Sequence, residues 1–188
     1  MFTPPPWYEV ALQELAACVA ESGSGEHPRI LEYLATCSDL EEGEWERDST
    51  PWCSAFVNWC LARAGFEGTD SGWARTWAGW GEPVDPPRLG AIAVWARGRT
   101  APDEPVVTGH VGFVAEDLGD SLVVLGGNQS DCVCLKTYPK LGYLTDTVGS
   151  GAAVSELYEL IGYRWPRSGV DRGVPRLETA RFQGDGYA

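Results

Sequence analysis

The chain reads as an α+β protein, with N-terminal helices packed on one face of an antiparallel β-sheet. Three observations predict this. Up to Ala64 the apolar residues recur at helical spacing, and after Pro86-Pro87 they shift to the spacing of strands. The runs 110–115 and 121–125 flank the turn Asp117-Leu118-Gly119-Asp120 as the arms of a hairpin do. Helices first and strands afterwards is the chain order of an α+β protein. At 188 residues the chain can bury a core of its own, and it holds no internal repeat.

The elements follow in order. Residues 6–20 form a first helix, with Val10, Leu12, Leu15, Ala16 and Val19 partly periodic, and Ser22-Gly23-Ser24-Gly25 breaks it. Residues 28–36 form a short second helix carrying Ile30, Leu31 and Leu34. An acidic loop, 39–48, leads to a third helix, for which Thr50 serves as N-cap, Pro51 as first helical residue and Gly65 as stop. Its stripe is Cys53, Phe56, Val57, Cys60, Leu61 and Ala64. The Gly- and Trp-rich run 68–81 holds a short helix bearing Trp73, Trp77 and Trp80. Strands are expected at 91–95, in the hairpin, and at 131–137 and 160–165, with 97–108 as a charged loop delivering the chain to His110. Residues 1–166 therefore make the domain. Residues 167–188 are polar and Gly-rich without a period, the composition of an extended or disordered tail.

Composition excludes several roles. A formal charge of −13 argues against nucleic-acid partners, which need a Lys/Arg surface, and against anionic membranes. No run approaches the length of a membrane span. The first residues lack the basic and apolar regions of a secretory signal. The expectation is synthesis in the cytoplasm without a signal peptide, with action in the periplasm or cell wall after lysis or specialised secretion. The six cysteines are not spaced like those of a small disulfide scaffold. Cys132 and Cys134 lack neighbouring His ligands, so no metal is expected and the pair reads as small buried side chains. Cys18 and Cys60 read as core, and His27 as a surface residue.

Only Cys53 has a position that changes its chemistry. A thiol in the first turn of a helix sits at the positive end of the macrodipole, where its thiolate is favoured. His110 opens a strand after Gly109, and the strand's hairpin partner ends in Gly126-Gly127-Asn128-Gln129. Thiolate, imidazole and an amide that orients the imidazole are the parts of nucleophilic acyl transfer. Asn128 is the first choice for the amide and Gln129 the second, since two glycines blur strand alternation there. The backbone N–H of Cys53 at the helix start is a natural oxyanion donor. Trp52, Trp77 and Trp95 are candidates for lining a substrate groove, with core packing as the competing role.

The run Pro51-Trp52-Cys53-Ser54-Ala55-Phe56-Val57-Asn58-Trp59-Cys60-Leu61 resembles the signature of the bacterial and phage papain-like cell-wall hydrolases, the CHAP and NlpC-type cysteine peptidases and amidases. It is most similar to a branch with the motif Trp-Cys-Ala-Ala-Phe-Val-Asn-Trp-Cys. Further matches are Pro28-Arg29-Ile30-Leu31-Glu32-Tyr33, Gly109-His110-Val111-Gly112-Phe113, Leu125-Gly126-Gly127-Asn128-Gln129-Ser130 and Gly162-Tyr163-Arg164-Trp165-Pro166. The resemblance spans roughly residues 6–166. It implies a papain-like fold, Cys53 as nucleophile, His110 as base and a polar third residue, for which related groups use His, Glu, Asn or Gln. It also implies a peptidoglycan or peptide substrate cut in the stem peptide or at its bond to N-acetylmuramic acid. No cofactor is implied, and a cognate inhibitor protein is left open. Two rival readings share the fold: a non-catalytic binding or structural module, and a cysteine acyltransferase or deamidase acting on protein.

Overall fold

In the computed structural model the described residues are 3–99, 108–147 and 153–167. Three helices come first: α1 (Pro6–Ala16), α2 (Pro28–Leu34) and α3 (Cys53–Arg63), followed by a 3-10 turn, Ala74–Gly79. Seven strands follow: β1 (Glu82–Pro83), β2 (Ile92–Arg99), β3 (Thr108–Asp117), β4 (Ser121–Gly126), β5 (Cys134–Pro139), β6 (Leu141–Thr147) and β7 (Ala153–Trp165). The sheet order is β1-β7-β2-β3-β4-β5, and β6 also pairs with β7. Every pairing is antiparallel. No helix among the described residues is long and apolar enough to cross a membrane.

Period-two alternation splits the sheet's side chains between two cores. Ile92, Val94, Val111 and Phe113 join the helices, packing with Phe56, Val57, Leu61, Tyr33 and Trp7. Ala91, Ala93, Trp95, Val114 and Val124 point the other way, where they meet Tyr138, Tyr158 and Tyr163. That second core is the inside of a curl: the Trp95 indole N–H donates to the Pro139 carbonyl at 2.9 Å, and the Tyr138 and Tyr158 rings lie 5.2 Å apart. Helices on one face were expected from the sequence; an aromatic core on the other was not.

Local chemistry explains the remaining differences. The first helix ends at Ala16 rather than at 20, because Cys18 turns left-handed at φ 54° and the chain then pairs with the segment before β5. Ala20 bridges Cys132, and the Val133 N–H donates to the Val19 carbonyl at 2.8 Å. Cys18 is consequently exposed, not core. The second helix stops at Leu34, short of 36. Helix α3 begins at Cys53 itself, with Trp52 at the cap position and no side-chain cap, while the Thr50 hydroxyl donates to the Glu44 carbonyl. Gly65 does end it, at φ 84°. The short helix expected within 68–81 is a 3-10 segment, Ala74–Gly79, which carries Trp77 and has Trp73 and Trp80 at its cap positions. Strand β5 starts at Cys134, so Cys132 lies outside it and both thiols are half-buried. Residues 97–99 extend β2 instead of opening the loop, and the polar run of β6 makes a strand that the sequence did not signal. Most of the loop, 100–107, and the tail, 168–188, lie outside the described residues.

A buried acid sits between α1 and α2. Glu14 accepts from the Tyr33 hydroxyl and lies 3.4 Å from the Arg29 guanidinium, so a charge at a core-facing position is paired rather than orphaned. Burial and this neighbouring carboxylate push the Tyr33 phenol far above its ordinary range.

Candidate active site

The site is built where the first turn of α3 meets the end of the β3–β4 ladder. Regular pairing of β3 with β4 ends at Phe113 opposite Leu125, and β4 itself ends at Gly126. Gly127 then leaves the space into which Trp52 and Phe56 pack: a Cβ there would stand 2.5 Å from the Trp52 ring and 2.6 Å from the Phe56 Cβ. Trp52 is fully buried, and its indole N–H donates to Glu21 at 3.0 Å. The helix tip is thereby clamped onto the sheet with Cys53 at its first position.

The Cys53 thiol meets three backbone N–H groups, those of Val111, Ser54 and Cys53 itself. Burial pushes its pKa up from the ordinary value; the positive charge of Arg97 and those three N–H groups pull the other way without reversing the shift. The depressed thiol expected from the helix-tip position is thus corrected, since burial outweighs the Arg97 charge and the three N–H groups. A strand's N–H lies in the plane of its sheet, so the sulfur occupies the edge position that β4 has vacated. His110 precedes Val111 on the opposite face of the same strand and borders that point.

His110 is 2% exposed and sits on the aromatic inner core, stacked on Tyr138 with ring centroids 4.7 Å apart and 6.2 Å from Trp95, its cross-strand partner. Its Nε2 lies 3.0 Å from Oε1 of Gln129. The amide's orientation is fixed independently: Gln129 Nε2 donates to the carbonyls of Cys134 at 2.6 Å and Val124 at 3.2 Å, which leaves only oxygen facing the imidazole. An accepting oxygen requires Nε2 to carry the proton, so Nδ1 holds the lone pair. The orienting amide is therefore Gln129 and not Asn128. Asn128 lies at φ 54° in a turn that also carries Ser130 and Asp131 at positive φ, and this break in alternation turns Gln129 inward, to 1% exposed.

The three groove candidates are corrected as well. Trp52, Trp77 and Trp95 are all fully buried. Trp77 donates to the Ser54 hydroxyl at 2.8 Å, and Ser54 in turn donates to the Ser71 carbonyl at 2.7 Å. Asn58 completes this brace, taking the N–H of Thr69 at 2.7 Å and donating to the Ser71 carbonyl at 3.1 Å. The tryptophans act as scaffold, and Trp95 furnishes part of the imidazole's seat. A cavity of about 300 Å³ lined by Phe66, Trp80, Pro166 and Arg167 opens beyond the C-terminal end of α3, away from Cys53.

Sequence reasoning missed Arg97, which was assigned to the loop. It lies two residues past Trp95 on the same strand face, pairs with Thr108 two residues before His110, and its charge acts on the Cys53 thiol. Continuing the alternation of β2 by one more step would have found it.

No curated protein and no solved structure matches the chain. The family model of the CHAP domain matches residues 45–128, a span that holds Cys53, His110 and Asn128 and stops one residue before Gln129. CHAP domains are in general cysteine- and histidine-dependent amidases or peptidases, and peptidoglycan is the substrate they imply. A CHAP domain is thus detected over residues 45–128, a finding consistent with the CHAP/NlpC-type cell-wall hydrolase superfamily.

Proposed function

We propose that this chain is a cysteine-dependent hydrolase of peptidoglycan amide bonds, on a papain-like arrangement of helix and sheet. The observation that carries the reading is the tautomer: Gln129 accepts the Nε2 proton of His110, which assigns the role of base to Nδ1. His110 takes the proton of Cys53 as sulfur attacks the scissile carbonyl. The resulting imidazolium gains from the Gln129 oxygen and from the Tyr138 ring beneath it. The oxyanion is met by the N–H of Cys53, which lies in the first turn of α3 and has no carbonyl within the helix. Collapse expels the amine with the proton from His110, and water activated by the same imidazole opens the thioester. The raised thiol pKa fits this order, because the proton moves when substrate is present rather than beforehand.

Digestion of purified sacculi, followed by mass analysis of the released fragments, tests the proposal. Wild type is expected to release stem peptides or cross-bridge fragments, and Cys53→Ala none. Identical fragments from the Ala variant would refute the nucleophile. Intact sacculi with both proteins would return the chain to the binding-module reading or to action on protein. The setting expected is the periplasm or cell wall, reached after lysis or specialised secretion.

A further inference from the structure

We propose that Arg97 forms a carboxylate-binding subsite beside Cys53, so that the substrate carries a free carboxylate close to the scissile amide. The inference deepens the hydrolase reading and rests on it for the identity of the bond cut.

Arg97 projects from the same face of β2 as Trp95, whose ring borders His110, and in the β2–β3 register it stands diagonal to His110. It is therefore on the imidazole's side of the sheet, and its charge acts on the Cys53 thiol. Its own partners hold it loosely. The Tyr158 hydroxyl is 3.4 Å from Nη1, and the Glu156 carboxylate is 3.8 Å from Nε. Neither approaches the 2.7–2.9 Å of a bidentate guanidinium–carboxylate pair. The buried Nε–H has no hydrogen-bond partner among the described residues. The guanidinium is only part-buried, so an arriving carboxylate would meet its Nη groups rather than the enclosed Nε. The chain's charge of −13 makes a retained cation at this point selective for an anion that the rest of the surface repels.

The test needs no natural substrate. The second-order rates of Cys53 modification by iodoacetate and by iodoacetamide are measured on the full chain, with the Cys53 peptide resolved by mass spectrometry. Any change in thiol ionisation alters both rates together, so their ratio reads only the attraction of an anion to the site. The ratio is expected to fall roughly three- to tenfold in Arg97→Met and to be largely kept in Arg97→Lys. In wild type, N-acetylglutamate should slow the iodoacetamide reaction while its diamide should not, which reads the subsite without any substitution. Equal ratios in wild type and Arg97→Met, or equal protection by acid and diamide, overturn the subsite even if both absolute rates change. A second arm compares stem peptides differing only as free acid and carboxamide: in Arg97→Met, KM should rise for the acid alone. If neither peptide is cut, the hydrolase reading fails while the alkylation ratio still decides the subsite.

Discussion

Gly127 is the residue on which the alignment of the site most depends, and its replacement by Ala is a quantitative test. The added methyl would lie 2.5 and 2.7 Å from two carbons of the Trp52 ring and 2.6 Å from the Phe56 Cβ. Carbon atoms rest at about 3.5–4.0 Å, so the first turn of α3 must retreat by roughly 1 Å. Neither neighbour can yield alone, since both are fully buried and Trp52 is tied to Glu21. Overpacking of this kind costs about 1–3 kcal/mol, or roughly 3–10 °C in Tm for a chain of this size. The retreat carries Cys53 with it, and a misplacement of about 1 Å can lower the rate by roughly 10²-fold. Thermal unfolding by circular dichroism and the rate of fragment release from sacculi are measured together, with Gly79→Ala as control because no atom lies within 4 Å of its Cβ position. Gly127→Ala with wild-type Tm and wild-type rate would refute the packing argument and, with it, the clamp on the helix tip.

Three further predictions concern other links in the same chain of reasoning. Gln129→Ala should lower kcat by about 10–100-fold, a share of what a positioned base supplies, whereas Asn128→Gly, made at a positive φ, should keep both kcat and Tm; the opposite ranking would restore Asn128 as the orienting amide. The Asp117 carboxyl is held below its ordinary value by Lys140, 2.8 Å away. A depressed carboxylate stabilises the fold above its unfolded pKa of about 3.9 and loses that contribution as pH falls through the folded value. Asp117→Asn should therefore lower stability slightly at neutral pH, by less than about 1 kcal/mol for so exposed a pair, with the gap to wild type closing as pH falls through the folded value. Burial pushes the Cys37 thiol up to about 11 and the Cys60 thiol well above its ordinary value, while Cys18 is exposed. A coloured disulfide reagent at pH 8 should titrate Cys18 at once and Cys37 and Cys60 only on unfolding, and prompt reaction of all three would contradict the packing of α3.

What could be read from the sequence was what depends on local pattern. The α3 stripe, the 117–120 turn and the switch after Pro86-Pro87 each belong to one element, and each is found close to its expected place. Cys53 and His110 were legible because chain position alone sets a helix tip and a strand start. Gln129 was not separable from Asn128, since the choice depends on three positive-φ residues in one turn, and that turn is held by the segment that follows α1 and by the start of β5. The buried roles of Trp52, Trp77 and Trp95 depend on partners far away in the chain: Glu21, Ser54 and the Pro139 carbonyl. β6 escaped notice because its pairing with β7 leaves Leu141 and Tyr143 largely exposed, so no inward-facing alternation marks it. Arg97 was lost to a boundary error of a few residues, a small slip that hid a charge acting on the Cys53 thiol.

Sulfur and imidazole belong to different layers of the molecule, the first to the helical side and the second to the ring-lined interior of the curl. One strand joins them, since the Val111 N–H meets the sulfur and His110 is the residue before it, so the docking of the α3 tip on β3 sets their separation. A slip of under an ångström along the seam between the α3 tip and β3 would shift sulfur against imidazole while both cores keep their own contacts. Warming or mild denaturant should silence the protein before its circular dichroism changes, and a molecule wedged into the seam would inhibit without touching either reactive atom.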